Sequence, residues 1–200
     1  IRSMKNVIEN KCFFLSSVTS ITNLPDESLK EICFWGRSNV GKSSLLNSIT
    51  NHNIARISKT PGRTTALNFF EIEKKIRLVD LPGYGYAKRS KVEIYKWNTL
   101  ILDYLESRKN LLFVFLLIDS RHGIKKNDSE AINLLQTLNN NFFIVLTKID
   151  KINKNDLNNC YSNASKTIKK RNRYNQKIYL TSSKKNQGIK ELTKTILEVV

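Results

Sequence analysis

The sequence predicts an α/β domain built on a mostly parallel sheet that helices cover on both faces. Several short segments are apolar almost throughout, which is typical of strands buried on both sides. These segments alternate with helical patterns, and such alternation produces parallel strands joined by helical crossovers. The 200 residues contain no internal repeat and no Pro- or Gly-rich linker, so we expect one domain over residues 11–200. Residues 1–10 are interpreted as an N-terminal extension or as residues added for expression.

Seven strands and five helices are predicted in order along the chain. The predicted strands are residues 12–18, 31–35, 67–72, 76–80, 111–119, 142–147 and 177–180. The predicted helices are residues 42–50, 90–107, 127–138, 154–170 and 189–198. In the second helix, Val92, Tyr95, Leu100, Leu102 and Leu105 form a roughly helical apolar stripe. Ligands of such sheets bind at the carboxyl ends of the strands, so residues at those ends are the candidates for function.

The first motif, Gly-x-x-x-x-Gly-Lys-Ser, spans residues 36–43, between a predicted strand and a predicted helix. Its glycines allow close backbone approach, and the N–H groups at the helix start would face phosphate oxygens. Lys42 would reach the β- and γ-phosphates, and Ser43 would offer its hydroxyl to Mg²⁺. A Gly-rich turn without a ligand is the alternative. The expected phosphate-binding residues are Gly36, Arg37, Ser38, Asn39, Val40, Gly41, Lys42, Ser43 and Ser44.

A second motif, Asp-x-x-Gly, starts at Asp80, where another predicted strand ends. Asp80 would hold Mg²⁺, and the N–H group of Gly83 would sense a γ-phosphate. The polar, turn-prone residues 58–65 fit a segment that is ordered only with γ-phosphate and Mg²⁺ bound, although an ordinary solvated loop is the alternative. Thr64 or Thr65 would complete the metal shell, and we favour Thr64; the expected metal ligands are Ser43, Thr64 and Asp80, and Lys42, Gly83 and Thr64 would serve hydrolysis.

The last two motifs predict recognition of guanine, and therefore of GTP and GDP. Asp150, in Thr147-Lys148-Ile149-Asp150, would accept the N1 and N2 donors of guanine, which adenine does not offer. Lys148 would lay its stem over the base plane. In the fourth motif, which follows the last predicted strand, Ser182 and Ser183 would present a backbone N–H group to O6, and Thr181 is expected to bind the nucleotide beside them. Taken singly, the third motif could be an ordinary charged loop and the fourth could be a helix cap.

Composition points to a polyanionic partner and against a membrane span. The net charge is +17, which favours nucleic acid or an acidic membrane surface, while AT-rich coding is the competing explanation. The longest apolar run, residues 111–118, is too short to cross a bilayer. Three widely spaced cysteines predict reduced thiols. We expect a cytoplasmic protein, or one of an organelle matrix if a targeting segment has been removed.

These motifs together resemble the EngB (YihA/YsxC) family of ribosome-assembly GTPases. The resemblance is carried by residues 36–46, 59–64, 68–69, 80–87 and 119–122, and extends from about residue 11 to the end. Residues 80–87, Asp-Leu-Pro-Gly-Tyr-Gly-Tyr-Ala, are the most diagnostic. The family implies a Ras-like P-loop GTPase fold, Mg²⁺, slow GTP hydrolysis and binding to the large ribosomal subunit during its maturation. A monomer is the default for this class.

The residue after the Asp-x-x-Gly motif predicts slow intrinsic hydrolysis. Many small GTPases place a water-orienting Gln there, whereas this chain has Tyr84, a phenol that is neither a base nor an amide mimic. We expect a rate of about 10⁻⁴ to 10⁻³ per second or slower. Alternatively, Tyr84 simply packs and another group places the water. Asn39 could coordinate K⁺ with phosphate oxygens, or it could merely tolerate the turn.

Basic residues are concentrated at residues 88–91 and at residues 166–173, continuing to Lys177, Lys184 and Lys185. Tyr161 and Tyr174 are available nearby for stacking on RNA. We favour a GTPase switch on ribosomal RNA, with no role for DNA. A switch read by a protein partner in trafficking or septum formation is the alternative. A P-loop kinase is a third class, which the guanine motif argues against.

Overall fold

The computed structural model describes residues 12–50, 66–85, 91–168 and 177–199. Within these ranges the chain forms seven strands and five α-helices, all close to the predicted positions. The strands are β1 (Cys12–Val18), β2 (Lys30–Gly36), β3 (Leu67–Ile72), β4 (Ile76–Asp80), β5 (Leu111–Asp119), β6 (Phe142–Thr147) and β7 (Ile178–Leu180). The helices are α1 (Lys42–Thr50), α2 (Lys91–Ser107), α3 (Lys126–Thr137), α4 (Lys154–Thr167) and α5 (Ile189–Leu197).

All seven strands belong to one sheet, in the order β1-β3-β4-β2-β5-β6-β7. β1 and β3 pair antiparallel, as do β3 and β4, whereas the pairs from β4 to β7 are parallel. The predicted mostly parallel sheet is therefore confirmed. The central strand β2 aligns Phe34 with Asp80 of β4 and Gly36 with Leu117 of β5, which brings the ends of these strands to the same edge.

Two apolar layers cover the two faces of the sheet, because successive side chains of each strand point to opposite sides. On β2, Cys33 and Trp35 belong to one layer, and Ile32 and Phe34 to the other. Helices α2, α3 and α4 contribute buried residues to the first layer, and α1 and α5 to the second. Helices on both faces, as the sequence predicts, therefore hold the strands in a sheet that is buried on either side.

The apolar stripe predicted on α2 is only partly correct. Leu100 and Leu105 are buried as expected, together with Tyr104. Val92 and Tyr95, however, are 63% and 72% exposed, and Leu102 is exposed as well. The reason is that Val92, Tyr95 and Leu102 lie on one side of α2, opposite the side that packs on the sheet through Leu100, Ile101, Tyr104 and Leu105.

A buried polar cluster closes the sheet at the edge where β2 begins. The carboxylate of Glu31 is fully buried and accepts two hydrogen bonds from Arg108, at 2.6 and 2.9 Å. The hydroxyl of Tyr104 donates to the same carboxylate at 2.7 Å. Arg108 also donates to the carbonyl oxygen of Pro25 at 2.7 Å, so this cluster ties the segment before β2 to the end of α2.

Neither a bilayer-spanning helix nor a disulfide is found in the described part of the chain. No helix there combines the length and the apolar character that crossing a membrane requires. Cys12, Cys33 and Cys160 are all free and buried. Burial raises the pKa of the Cys12 thiol to about 12, so this thiol stays protonated at neutral pH.

Candidate functional site

Five parallel strands end at one edge of the sheet, and all four motifs lie there. β2 ends at Gly36, β4 at Asp80, β5 at Asp119, β6 at Thr147 and β7 at Leu180. The first three motifs begin at such an end, and the fourth begins at the residue that follows β7. The structure thus brings together segments that are up to 145 positions apart in the sequence, as the carboxyl-end rule for α/β sheets predicts.

The phosphate loop turns tightly between β2 and α1. A Cβ atom on Gly36 would lie 2.8 Å from the carbonyl oxygen of Leu117, so only glycine fits where the loop leaves the sheet. Gly41 has φ +107°, a backbone conformation that side chains disfavour. Asn39 also has a positive φ of 64°. The loop then enters α1, where Ser43 and Ser44 stand half-buried in the first turn.

Lys42 and Asp80 contact each other directly across the mouth of this loop. Both side chains are almost fully buried, so the ion pair is held in a poorly solvated environment. Lys42 and Asp80 were predicted to serve phosphate and metal respectively. Because the two groups are in contact, this ion pair would have to separate for a phosphate and its metal ion to bind between them.

Gly83 packs against the phosphate loop. A Cβ atom there would lie 3.0 Å from the backbone nitrogen of Ser38 and 3.1 Å from its hydroxyl oxygen. Tyr84 directs its side chain away from the loop: its ring contacts that of Trp35 at 5.1 Å between centroids, and its hydroxyl donates to Asp128 at 2.9 Å. Ring and hydroxyl of Tyr84 are thus both engaged in packing, which agrees with either prediction: slow hydrolysis for want of a water-orienting residue, or another group that places the water.

The third motif is hydrogen-bonded to the first. The hydroxyl of Thr147 donates to the carbonyl oxygen of Val40 at 2.7 Å, and the ammonium of Lys148 donates to that of Asn39 at 2.6 Å. Lys148 adopts a left-handed backbone, with φ 57° and ψ 34°, at the entrance to a short 3₁₀ turn, Ile149–Lys151. The predicted phosphate and guanine segments are therefore one connected unit.

The fourth motif completes this unit from the side of β7. The hydroxyl of Ser182 donates to Asp150 at 2.6 Å, and this bond is the main cause that lowers the pKa of the Asp150 carboxyl. Thr181 accepts from the N–H group of Ile149 at 3.3 Å through its carbonyl oxygen. Thr181 and Ser182 are buried, and Ser183 is half-buried beside them. Asp150 is thus ionised and oriented by its neighbours.

Asp119 is a residue of this edge to which sequence reasoning assigned no role. Its carboxylate accepts from Lys148 at 2.8 Å and from the guanidinium of Arg121 at 2.7 and 2.9 Å. Burial opposes its ionisation, but the bonds from Arg121 and Lys148 prevail and lower the pKa of Asp119 to about 2. In the sequence, the position of Asp119 at the end of a predicted strand could have indicated that it belongs to the site.

The donors at this site suit a hard cation such as Mg²⁺. Ser43 and Asp80 supply a hydroxyl and a carboxylate oxygen, and phosphate oxygens and water would complete an octahedral shell. Across the described ranges, no cluster of three or more His, Cys, Asp or Glu side chains could hold a metal by itself. Residues 58–65 with Thr64, residues 88–90, and residues 169–176 with Tyr174 lie outside the part that the structure describes.

The strand order and the positions of the motifs define a P-loop GTPase. A family model described as "50S ribosome-binding GTPase" matches residues 31–148, and one described as "Elongation factor Tu GTP binding domain" matches residues 106–200. "Probable GTP-binding protein EngB" of Mycoplasmopsis synoviae is 53% identical over 148 residues, 72% of this chain and 79% of that relative. Its namesake in Ruegeria sp. is 44% identical over 92% of this chain and 85% of its own. The chain therefore belongs to the EngB family of GTP-binding proteins.

Solved structures agree with this assignment. The crystal structure of a probable EngB superposes with a TM-score of 0.66 at 26% identity, covering 84% of this chain and 97% of that one. Era, solved with MgGDPNP and nucleotides 1506–1542 of 16S ribosomal RNA, superposes with a TM-score of 0.68 at 26% identity. That match covers 86% of this chain and 56% of Era. The Ras-like P-loop GTPase fold is thereby confirmed.

Proposed function

We infer that this GTPase acts in assembly of the large ribosomal subunit, by binding ribosomal RNA in a manner that GTP controls. The observation that carries this proposal is the match of residues 31–148 to a family described as 50S ribosome-binding. The net charge of +17 supports it, because neutralising RNA phosphates is the common use of such an excess. Era, which shares the fold, has been solved with a segment of ribosomal RNA.

In this proposal the phosphate loop, residues 36–44, wraps the phosphates of GTP. Lys42 exchanges its contact with Asp80 for the β- and γ-phosphates, because these carry more negative charge than one carboxylate. Ser43 and Asp80, with Thr64, hold Mg²⁺, which neutralises charge on the phosphate oxygens. The N–H group of Gly83 binds the γ-phosphate, so hydrolysis removes the contact that holds this segment.

The base is recognised at the other end of the same edge. Asp150, oriented by Ser182, accepts the N1 and N2 donors of guanine. Thr147 and Lys148 connect that recognition to the phosphate loop through their bonds to Val40 and Asn39. Thr181, Ser182 and Ser183 line the side of O6.

Hydrolysis without a partner is slow, since Tyr84 supplies no group that orients water and its hydroxyl is engaged by Asp128. The ribosomal partner then provides the missing stabilisation, or Asn39 recruits K⁺ at the phosphates for this purpose. Equal turnover in NaCl and KCl with the partner present would argue against the K⁺ route.

Exposed lysines adjoin this edge and provide a surface for RNA. Lys184 and Lys185 follow the fourth motif directly and are exposed, and Lys166 is exposed on α4. A phosphate backbone bound by Lys184 and Lys185 would therefore lie beside the base-binding residues. This adjacency gives the nucleotide a short route by which to influence RNA binding.

The test is sedimentation of the protein with large ribosomal subunits, loaded with GDP or with a non-hydrolysable GTP analogue, across a salt series. We expect co-sedimentation that the GTP analogue favours and that salt abolishes steeply. Absence of binding in both nucleotide states would contradict the proposal and would favour a switch read by a protein partner, in trafficking or septum formation. RNase treatment distinguishes the two, because a protein partner remains bound after it.

A further inference from the structure

Tyr84 joins the second motif to the phosphate loop through its backbone. Its N–H group donates to the carbonyl oxygen of Gly36 at 3.3 Å, and its own carbonyl oxygen accepts from Ser38 at 3.1 Å. These two bonds form an isolated parallel bridge between Arg37 and Tyr84, beyond the ends of β2 and β4. Gly83 is therefore held at the distance from Ser38 described above, where a single methyl group would not fit without movement.

The side chain of Tyr84 reaches a third element, the start of α3. Its hydroxyl donates to Oδ1 of Asp128, a carboxylate that is fully buried. Burial and the nearby carboxylate raise the pKa of Tyr84 well above its usual value, so the hydroxyl keeps the proton it donates. The second oxygen of Asp128 accepts from the N–H group of Lys125 at 2.8 Å, which fixes the carboxylate to the helix start.

Arg37, in the phosphate loop, turns to the same carboxylate. Its Nε lies 3.2 Å from Oδ1 of Asp128, although the angle is not that of an aligned hydrogen bond. Nη2 of Arg37 is likewise buried without a hydrogen-bond partner among the described residues. The Arg37 side chain is 22% exposed and Asp128 is fully buried, so the two stabilise each other chiefly by charge, and removal of Arg37 would leave the buried carboxylate without this charge.

We propose that Tyr84, Asp128 and Arg37 form a positioning set that fixes Gly83 against the phosphate loop, and so sets the preference of the site for GTP over GDP. Only GTP carries the phosphate that the N–H group of Gly83 contacts, so a less firmly held Gly83 weakens GTP binding selectively. None of the three side chains needs to touch the nucleotide for this effect. The inference rests on the proposed nucleotide site and is independent of the proposed RNA partner.

The test is Tyr84→Phe, which removes the hydroxyl and keeps the ring that packs on Trp35. Affinities for GDP and for a non-hydrolysable GTP analogue are measured by calorimetry with Mg²⁺ and without RNA. We expect the affinity for the GTP analogue to fall about tenfold, the order of one hydrogen bond to a charged group, while that for GDP changes by less than about twofold. Tyr95→Phe, at an exposed position of α2, is the matched control and should change neither affinity.

A double-mutant cycle with Asp128→Asn tests whether the two residues act through each other. The combined loss in GTP preference should be smaller than the product of the single losses, because each variant removes the same contact. Equal weakening of GDP and GTP-analogue binding would indicate a merely structural role and overturn the inference, as would an unchanged Tyr84→Phe. If the wild-type protein bound neither nucleotide, both the proposed site and the inference would fail. If the wild-type protein prefers the GTP analogue and Tyr84→Phe does not change this preference, only the inference fails.

Discussion

Lys148 joins the proposed base-binding part of the site to the proposed phosphate-binding part. Its ammonium group donates to Asn39 of the phosphate loop and to the carboxylate of Asp119. Its backbone is left-handed, so the side chain turns back over the loop and does not extend beyond the end of β6. Together with the bond from Thr147 to Val40, this side chain therefore couples the two parts of the site.

Asp150→Asn should change the base that the protein prefers. The carboxylate accepts two donors of guanine, whereas an amide presents N–H groups that oppose one of them. Xanthine has an oxygen where guanine has its amino group, and that oxygen can accept from the amide. We expect the affinity for GDP to fall about a hundredfold or more, and that for xanthosine diphosphate to rise, both measured by calorimetry.

The matched control is Glu106→Gln, which makes the same chemical change at an exposed position of α2. It should leave both affinities at their wild-type values. Undiminished binding of GDP by Asp150→Asn would contradict the role given to this carboxylate.

Asp119 should make stability depend on pH in the acid range. Its pKa is lowered to about 2 in the folded protein, so its contribution is complete above the usual carboxyl range and is lost as pH falls through the folded value. The size of this contribution is about 2 kcal/mol from the shift in pKa. Asp119→Asn should therefore approach wild-type stability as pH falls, with about half of the difference gone between about pH 5 and about pH 3.

Denaturation by urea at several pH values measures this difference. Glu106→Gln again serves for comparison, since an exposed carboxylate should give a difference that barely varies with pH. A gap between wild type and Asp119→Asn that stayed constant down to about pH 3 would contradict the lowered pKa of Asp119.

The sequence predicts the motif residues well because each motif lies within a few positions of a strand end. Gly36 to Ser44 and Thr147 to Asp150 are local patterns, whose geometry follows from one turn each. The role of Asp128 was not predictable in this way. Its partner Tyr84 is 44 positions away, and only the fold brings the two side chains together.

At the scale of elements, the strands were predictable because the buried ones are apolar along their whole length. Their order in the sheet was not, since nothing local in β1 indicates that it pairs with β3 at the sheet edge. The apolar stripe of α2 was misjudged for a related reason. The predicted stripe combined residues from two sides of the helix, and only the fold shows that the side with Leu100 and Leu105 is covered while the side with Val92, Tyr95 and Leu102 is exposed.

The cluster of Glu31, Tyr104 and Arg108 should contribute to stability without affecting the nucleotide site. Arg108→Ala removes two hydrogen bonds from the buried carboxylate of Glu31 and leaves Arg77, at 3.8 Å, as its remaining charge partner, so we expect a cost of about 3 kcal/mol, the lower end for a broken buried pair. We expect the urea midpoint to fall accordingly. Affinity for GDP is measured at urea concentrations where the variant is still folded. It should be unchanged, because the cluster lies near the start of β2 and the proposed site lies beyond the end of the same strand.

Lys109→Ala, next in sequence and exposed, is the matched control and should shift the midpoint little. A wild-type midpoint for Arg108→Ala would show that the cluster does not stabilise the fold. Lost GDP affinity in the folded variant would show that the two edges of the sheet are coupled.

At the scale of the whole molecule, the chain carries a large excess of positive charge. Lys and Arg number 34, against 17 Asp and Glu. Exposed lysines lie at both edges of the sheet: Lys184 and Lys185 beside the site, and Lys74 and Lys75 in the turn between β3 and β4. Substituting one pair or the other can therefore show whether RNA binding depends on total charge or on a particular surface beside the site.

Lys184→Gln with Lys185→Gln should weaken binding to the large ribosomal subunit and flatten its dependence on salt. Each lost phosphate contact lowers the slope of log affinity against log salt concentration by about one, so we expect a decrease of about two. The measurement is the same sedimentation series, with the GTP analogue bound.

Lys74→Gln with Lys75→Gln removes the same charge at the opposite edge and is the matched control. Its slope should stay near that of the wild type. Equal effects of the two double variants would show that only total charge matters, and would contradict an RNA-binding surface beside the site.

The strand order also governs when the site can exist during synthesis. β2 is made early, but both of its neighbours, β4 and β5, come later in the chain, and the sheet grows outward from it to β7. The phosphate loop therefore emerges from a translating ribosome more than a hundred residues before Thr181 and Ser182, which orient the base-reading carboxylate. If the proposed site is right, the full stabilisation by GTP is available only after that last strand has been made, and the early strands form before it.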